Sequence, residues 1–202
     1  MTGGSAAVDT SNFAKYQTTN PLVRRLIDGF FGRLAELVAP LAPTSVLDAG
    51  CGEGETLARL AHLLPRDDVF AVDILDESVE FTRRRLPFVN ASRESVYELP
   101  FEDDRFDLVL SLEVLEHLDR PGEGLAELDR VARRALIVSV PFEPYFRLGS
   151  LARGKYVGTW GNHPEHVNHW NRRTFRRFLE PRVRVDGIAV AFPWLIARCG
   201  PQ

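Results

Sequence analysis

The chain has 202 residues, 45% of them hydrophobic and 26% charged, enough for one globular core. Its two cysteines, Cys51 and Cys199, lie far apart and outside any CxxC spacing, which excludes a disulfide framework and a cysteine zinc site. No stretch approaches the roughly 20 apolar residues of a membrane span, and the opening MTGGSAAVDTSN lacks the basic start and apolar core of an export signal, so a cytoplasmic protein is expected.

Asn20-Pro21 has the form of a helix start, and Leu22, Leu26, Phe30, Leu34, Leu37 and Val38 recur at helical spacing up to Pro40. From Ser45 short β-branched runs alternate with helical ones: SVLDAG, TLARLAHLL, DVFAVDI, ESVEFTRRR, PFVNAS, RFDLVLSL, GEGLAELDRVA and ALIVSV. That alternation predicts parallel strands joined by crossover helices, a Rossmann-like, doubly wound α/β sheet of seven mainly parallel strands. After Pro141 an aromatic, glycine- and histidine-bearing segment runs to Trp170. The helix RRTFRRFLE follows, and RVRVDGIAVAFPWLIARC reads as two further strands with a turn at Asp186-Gly187. The expected organisation is a single domain. A helical cap spans 1–43, a nucleotide-binding core 44–140, an acceptor or lid segment 141–170, and a helix with strands 171–202.

The net charge of −3 conceals an asymmetry. Residues 1–132 carry 13 Lys/Arg against 24 Asp/Glu, whereas residues 133–184 carry 11 against 3. The basic stretch predicts an anionic ligand there, or the solvated face of a helix.

The stretch VLDAGCGEGE, residues 46–55, is strand, glycine turn and helix, the way a chain wraps a nucleotide. A dinucleotide turn needs G-x-G-x-x-G, but the spacing here is Gly50-x-Gly52-x-Gly54, with Glu55 at the place of the third dinucleotide glycine. Glu53 and Glu55 at a helix start interact well with the helix dipole and repel a pyrophosphate. Asp48 adds a carboxylate suited to a cation, and Asp73, about 20 residues on, stands where an acid holds ribose hydroxyls. The turn therefore expects a ligand with a ribose, a positive charge and no phosphate.

With AVDILDES and ELPFEDDRFDLVLSLEVLEHLDRP, the glycine stretch makes residues 45–140 resemble the class I S-adenosylmethionine-dependent methyltransferases, of the type 11/12 kind. The resemblance implies S-adenosylmethionine as cofactor, with S-adenosylhomocysteine as its product. It also implies cofactor contacts at Asp48 near the methionine end, at Gly50, Cys51, Gly52 and Gly54 along the backbone, and at Asp73 on the ribose. Ile74 is expected over the adenine ring, Ser95 and Val96 at its edge, and Leu112 beside it. Relatives often carry GDAxxLPF where this chain has ESVYELPF, so Ser95 stands at the place of an adenine-binding Asp.

Candidates for the acceptor side lie beyond the carboxyl ends of strands four and five. Glu113, Glu116 and His117 in EVLEHL have the spacing of one helical face, and His163, His166 and His169 fall within seven positions. Glu113, Glu116, His117 and His166 suit Mg²⁺ or Mn²⁺. This layout resembles two metal-using branches, the small-RNA terminal 2′-O-methyltransferases, with a histidine four residues before a Trp as His166 is before Trp170, and ubiquinone-pathway O-methyltransferases. The other reading gives Glu116 and His117 a bracing role. Phe142, Tyr145, Phe146, Tyr156, Trp160 and Trp170, with Arg147, Arg153 and Lys155, suggest an apolar pocket with a cationic mouth, and this segment, with the N-terminal helix and Tyr16, is expected to close over the methyl donor as a lid.

The resulting expectation is methyl transfer to an oxygen of a small acceptor, anionic or aromatic. His117 or His166 would act as base, or with Glu113 and Glu116 as metal ligands. An RNA 3′ end is the alternative acceptor, and a cofactor-binding protein without methyl transfer is a further alternative.

Overall fold

The computed structural model describes residues 16, 18–145 and 167–200. Helix α1, Pro21–Val38, opens at Asn20, whose side-chain oxygen accepts the N–H groups of Leu22 and Val23 at 3.0 and 3.4 Å. Its buried face is Ile27, Phe30, Phe31, Leu34 and Val38. Leu22, expected on that face, is 66% exposed, because the inward stripe is centred on Ile27 and Phe31 instead.

After α1 come β1 (Val46–Ala49), α2 (Glu55–Leu60), β2 (Val69–Asp73), α3 (Asp76–Arg85) and β3 (Asn90–Arg93). They are followed by β4 (Phe106–Leu112), a 3₁₀ turn at Leu115–His117, α4 (Pro121–Arg130), β5 (Ala132–Pro141), α5 (Arg172–Leu179), β6 (Arg184–Ala191) and β7 (Trp194–Gly200). The seven strands form one sheet in the order β3-β2-β1-β4-β5-β7-β6. Strands β1 to β5 are parallel, and β7 runs antiparallel to both β5 and β6. The doubly wound sheet is as the alternation predicted. Its order reverses between β1 and β4, which is the place where open α/β sheets bind ligands beyond the carboxyl ends of their strands.

Period-2 alternation distributes the core. Leu47, Ala49 and Val109 pack with Leu125 and Leu128 of α4 and Phe175 and Leu179 of α5, while Val46, Leu108 and Leu110 pack against α1. Leu57 of α2 and Val79 of α3 close a third cluster over Val69 and Ala71. The strands read as continuous apolar runs because both faces are covered.

The expected turn at Asp186-Gly187 is not a turn. These residues lie inside β6, where the register shifts between Val185 and Gly187, and the chain reverses at Phe192-Pro193. Asp186 stays in the strand beside two arginines, Arg184 at 3.1 Å and Arg198 at 3.7 Å, and the one-residue bulge absorbs it.

Candidate active site

The glycine turn sits at the carboxyl ends of β1 and β2. Gly50 and Cys51 donate their N–H groups to the carbonyl of Val72, at 2.8 and 3.0 Å, which bends the chain over β2. Gly50, Gly52 and Gly54 all have positive φ, 85°, 51° and 72°. For Gly50 the restriction is also steric, since an added Cβ would collide with the side chain of Val114. At Gly52 an added Cβ would meet nothing within 4 Å, so the loop there faces open space.

Asp73 fixes this loop. Its Oδ2 accepts the Gly52 N–H at 2.9 Å and its Oδ1 accepts the Leu75 N–H at 3.0 Å. Each oxygen keeps a further lone pair, so the acid can brace the turn and still accept from a ligand hydroxyl. The carbonyl of Gly52 accepts from the Thr82 hydroxyl at 2.9 Å, and that of Glu53 from Arg85 at 3.1 Å.

Asp48 is 1% exposed, and its Oδ2 is buried without a hydrogen-bond partner. Burial, and then the neighbouring Asp73 carboxylate, push its carboxyl up to about 7. A buried acid with an oxygen to spare, beside an open loop, is suited to an incoming cation. Cys51 is buried, and burial, followed by the charges of Asp48 and Asp73, pushes its thiol far up, which keeps it protonated.

Glu55 lies between Arg59 and Arg85, each at 2.6 Å, and is shielded more than expected. Desolvation raises its pKa, but these two arginines outweigh it and hold the group below the usual range. Arg59 also reaches Asp28 of α1 at 3.1 Å, tying the helical cap to the loop. Tyr16 meets Phe31 with ring centroids 6.0 Å apart. It lines a cavity of about 350 Å³ with Thr18, Thr19, Arg24, Ile27, Asp28 and Arg59.

On the side expected to take the adenine, Ile74 is 58% exposed just after β2. The Ser95 hydroxyl accepts the Tyr97 N–H at 3.2 Å, which leaves it one lone pair for a ligand. Val96 packs on the α4-side cluster and Leu112 on the α1-side cluster.

The grouping expected for Glu113, Glu116 and His117 is not observed. Glu113 is at φ 58° and stays attached to β5 through its N–H and the carbonyl of Ser139, at 3.1 Å. The next residues form a single 3₁₀ turn rather than a longer helix. Glu116 is fully buried while its neighbour His117 is exposed. Among the described residues no group of His, Cys, Asp or Glu has an arrangement that would hold a metal ion. His163 and His166 lie outside the described residues, as do Phe146, Arg147, Arg153, Lys155, Tyr156 and Trp160.

The structure brings other residues to this end of the sheet. The carbonyl of Glu116 accepts the N–H groups of Val167 and Asn168 at 2.9 and 3.1 Å, so the returning chain docks on the turn after β4. Phe142, Tyr145 and Phe192 form an edge-to-face row, with centroid separations of 5.0 and 5.7 Å. The sequence does not reveal the contribution of Phe192, because its turn signal, Asp186-Gly187, stands six residues before the actual reversal. On α5, Arg172, Arg173 and Arg177 are exposed and have no ionic partner among the described residues, whereas Arg176 pairs with Glu180. No helix among the described residues is long and apolar enough to cross a membrane.

Residues 47–138 match the methyltransferase domain family. A probable S-adenosylmethionine-dependent methyltransferase of Mycobacterium tuberculosis is 37% identical over 98 residues, 48% of this chain and 35% of that protein. The magnesium-protoporphyrin O-methyltransferase of Rhodobacter capsulatus is 27% identical over 164 residues, 79% of this chain and 72% of that one. The crystal structure of magnesium protoporphyrin IX methyltransferase from Synechocystis with bound S-adenosylhomocysteine superposes with a TM-score of 0.68 at 18% identity, covering 96% of each chain. The chain spans 27% to 39% of the length of five of the curated relatives it matches. Strand order, glycine turn and family match agree: residues 47–138 belong to the methyltransferase domain family, and the chain is similar in sequence and fold to S-adenosylmethionine-dependent methyltransferases.

Proposed function

We propose that this protein transfers the methyl group of S-adenosylmethionine to an oxygen of a small acceptor with an apolar or aromatic body and an anionic group. The observation that carries the first half is the open face of Gly52, flanked by Asp73 and the partnerless Oδ2 of buried Asp48. When bound, the cofactor supplies a sulfonium whose methyl group is already activated for displacement. Asp73 accepts from ribose hydroxyls, and Asp48 accepts from the ammonium of the methionine end. Exposed Ile74 covers one face of the adenine, and Ser95 with the main chain of Val96 takes its edge. These residues bind and orient, which is most of what in-line transfer to a positioned nucleophile needs.

The second half rests on the row Phe142, Tyr145 and Phe192, which offers aromatic surface at the carboxyl end of β5, and on exposed Arg172 and Arg173 at the start of α5, just after Trp170, the bridge partner of Phe142. The same arginines favour, as a second reading, an RNA 3′ end as acceptor.

Calorimetric titration with S-adenosylmethionine and S-adenosylhomocysteine tests the cofactor site, with micromolar binding of both expected. Transfer of labelled methyl from the cofactor to a set of phenols and aromatic acids tests the acceptor. Strongly salt-dependent binding of a single-stranded oligoribonucleotide, with no label on the small molecules, would move the assignment to RNA.

A further inference from the structure

The glycine turn is held by a neighbouring helix as well as by the sheet. Thr82, Arg85 and Leu86 share one face of α3 and its C-terminus, three and four residues apart, and each meets a different part of the loop. The Thr82 hydroxyl, on a side chain with no exposed surface, donates to the carbonyl of Gly52 at 2.9 Å. Arg85 donates to the carbonyl of Glu53 at 3.1 Å and reaches the carboxylate of Glu55 at 2.6 Å. At Gly54 an added Cβ would stand 3.0 Å from both the Leu86 side chain and the Thr82 hydroxyl, so α3 also closes the space there.

Gly52 is thereby fixed at both of its main-chain polar groups. Its N–H goes to Oδ2 of Asp73, and its carbonyl accepts from Thr82, with the Cys51 thiol as a second, longer donor at 3.6 Å. A glycine at φ 51° has many conformations within reach, and these bonds select one. They orient Asp73 too, because the carboxylate that takes the Gly52 N–H is the same one that takes the Leu75 N–H. A threonine inside a helix often turns its hydroxyl back to a carbonyl one turn earlier, whereas Thr82 sends its hydroxyl to another element. Burying a hydroxyl is unfavourable where valine of nearly the same shape would fit, so what distinguishes threonine at this position is the bond to the Gly52 carbonyl.

We propose that Thr82 is a positioning residue for the methyl donor. Through the Gly52 carbonyl it holds the turn, and through the turn the Asp73 carboxylate, in the arrangement that receives S-adenosylmethionine. The proposal rests on the cofactor site of the methyl-transfer reading above. Fully buried Thr82 acts through Gly52 and not by touching the cofactor. Without its hydroxyl the Gly52 carbonyl loses its short donor, the peptide can turn, and binding must then order the loop.

Calorimetric titration of Thr82→Val and Thr82→Ser with S-adenosylhomocysteine, each paired with a melting curve taken without ligand, tests the assignment. Valine keeps the methyl group and loses the hydroxyl, and serine does the reverse, so packing and hydrogen bonding are separated. Affinity should fall at least about tenfold in Thr82→Val and stay within about twofold of the unaltered protein in Thr82→Ser, although serine also lowers the melting temperature. Unchanged affinity in Thr82→Val, or an equal loss in both variants, would overturn the proposal. In nitrogen-15 glycine-labelled protein without ligand, the Gly52 amide, identified by its loss in Gly52→Ala, should shift or broaden in Thr82→Val and keep its position in Thr82→Ser. A Gly52 resonance indifferent to valine would also overturn it. Failure of S-adenosylhomocysteine to bind the unaltered protein would count against the cofactor reading instead, and the Gly52 resonance would still report whether Thr82 sets the turn.

Discussion

The main-chain N–H of Gly52 donates to Oδ2 of Asp73 across 2.9 Å, so the acid at the end of β2 is part of the glycine turn's own framework. Asp73→Ala removes this brace together with the oxygens offered to the ribose. Cofactor affinity should fall by about 1–3 kcal/mol and thermal stability should drop slightly. Calorimetry and a melting curve on the same sample check both. Asp73→Asn, which keeps one carbonyl oxygen, should recover much of the stability and less of the binding.

Gly50 and Gly52 should respond differently to a methyl group. Gly50→Ala drives Cβ into Val114 at a positive φ, so it should destabilise by about 2–4 kcal/mol. Gly52→Ala carries only the backbone strain, about 1 kcal/mol, because its Cβ enters open space. It should stay folded while losing cofactor binding at least about tenfold. Equal affinity of Gly52→Ala and the unaltered protein would mean that the open face is not where the cofactor lies.

Asp48 links binding and stability to pH. Because its carboxyl is raised to about 7 in the folded protein, folding favours the protonated form. This group's contribution therefore worsens as pH rises from about 4 toward 7. Asp48→Asn should be more stable than the unaltered chain at pH 7.5, by on the order of 2–4 kcal/mol, with the difference shrinking toward pH 4. Cofactor affinity should move the other way, rising with pH through about 7 as the carboxylate ionises and showing no such rise in Asp48→Asn. Denaturation and calorimetry across that range give both curves.

Asp107 should show the opposite pH dependence. It is buried at the start of β4, where burial raises its pKa. The Thr44 hydroxyl and N–H, at 2.6 and 2.9 Å, and Arg133, at 2.8 Å, outweigh that and hold the group well below the usual carboxylate range. Its stabilisation is present above about pH 4 and lost as pH falls further. Asp107→Asn should cost about 2–4 kcal/mol at neutral pH and progressively less in acid. Cofactor affinity should not change, since this residue is at the other end of the strands from the glycine turn.

Much of this architecture was legible because it is repetitive. Parallel strands covered on both faces leave unbroken apolar runs, and a glycine turn between strand and helix leaves a spacing that side-chain chemistry can interrogate. What escaped was set by tertiary context. Leu22 fits the helical period as well as Phe31 does, and only the position of the sheet decides which one is buried. Asp186-Gly187 has the composition of a tight turn, yet pairing with Arg184 and Arg198 keeps it in a strand. Glu113, Glu116 and His117 have the spacing of a helical face, but the chain after β4 makes only one tight turn and sends Glu116 and His117 to opposite environments. His169 was visible only as one histidine among three, since Glu143, whose Oε1 lies 3.8 Å from its Nδ1, is 26 residues away in sequence.

The reversal in strand order also divides the molecule by task. Asp48, the glycines and Asp73 hang from β1 and β2, while Phe142, Glu143, His169 and Phe192 hang from β5, from the segment that docks on the turn after β4, and from the antiparallel hairpin. The two groups lie on either side of the seam between β1 and β4, which is held at its far end by Asp107. Substitutions among the second group can accumulate without disturbing the first. The hairpin turn and residues 142–145 are accordingly natural points for grafting a new acceptor preference onto an unchanged donor site, in drift between related chains as much as in the laboratory.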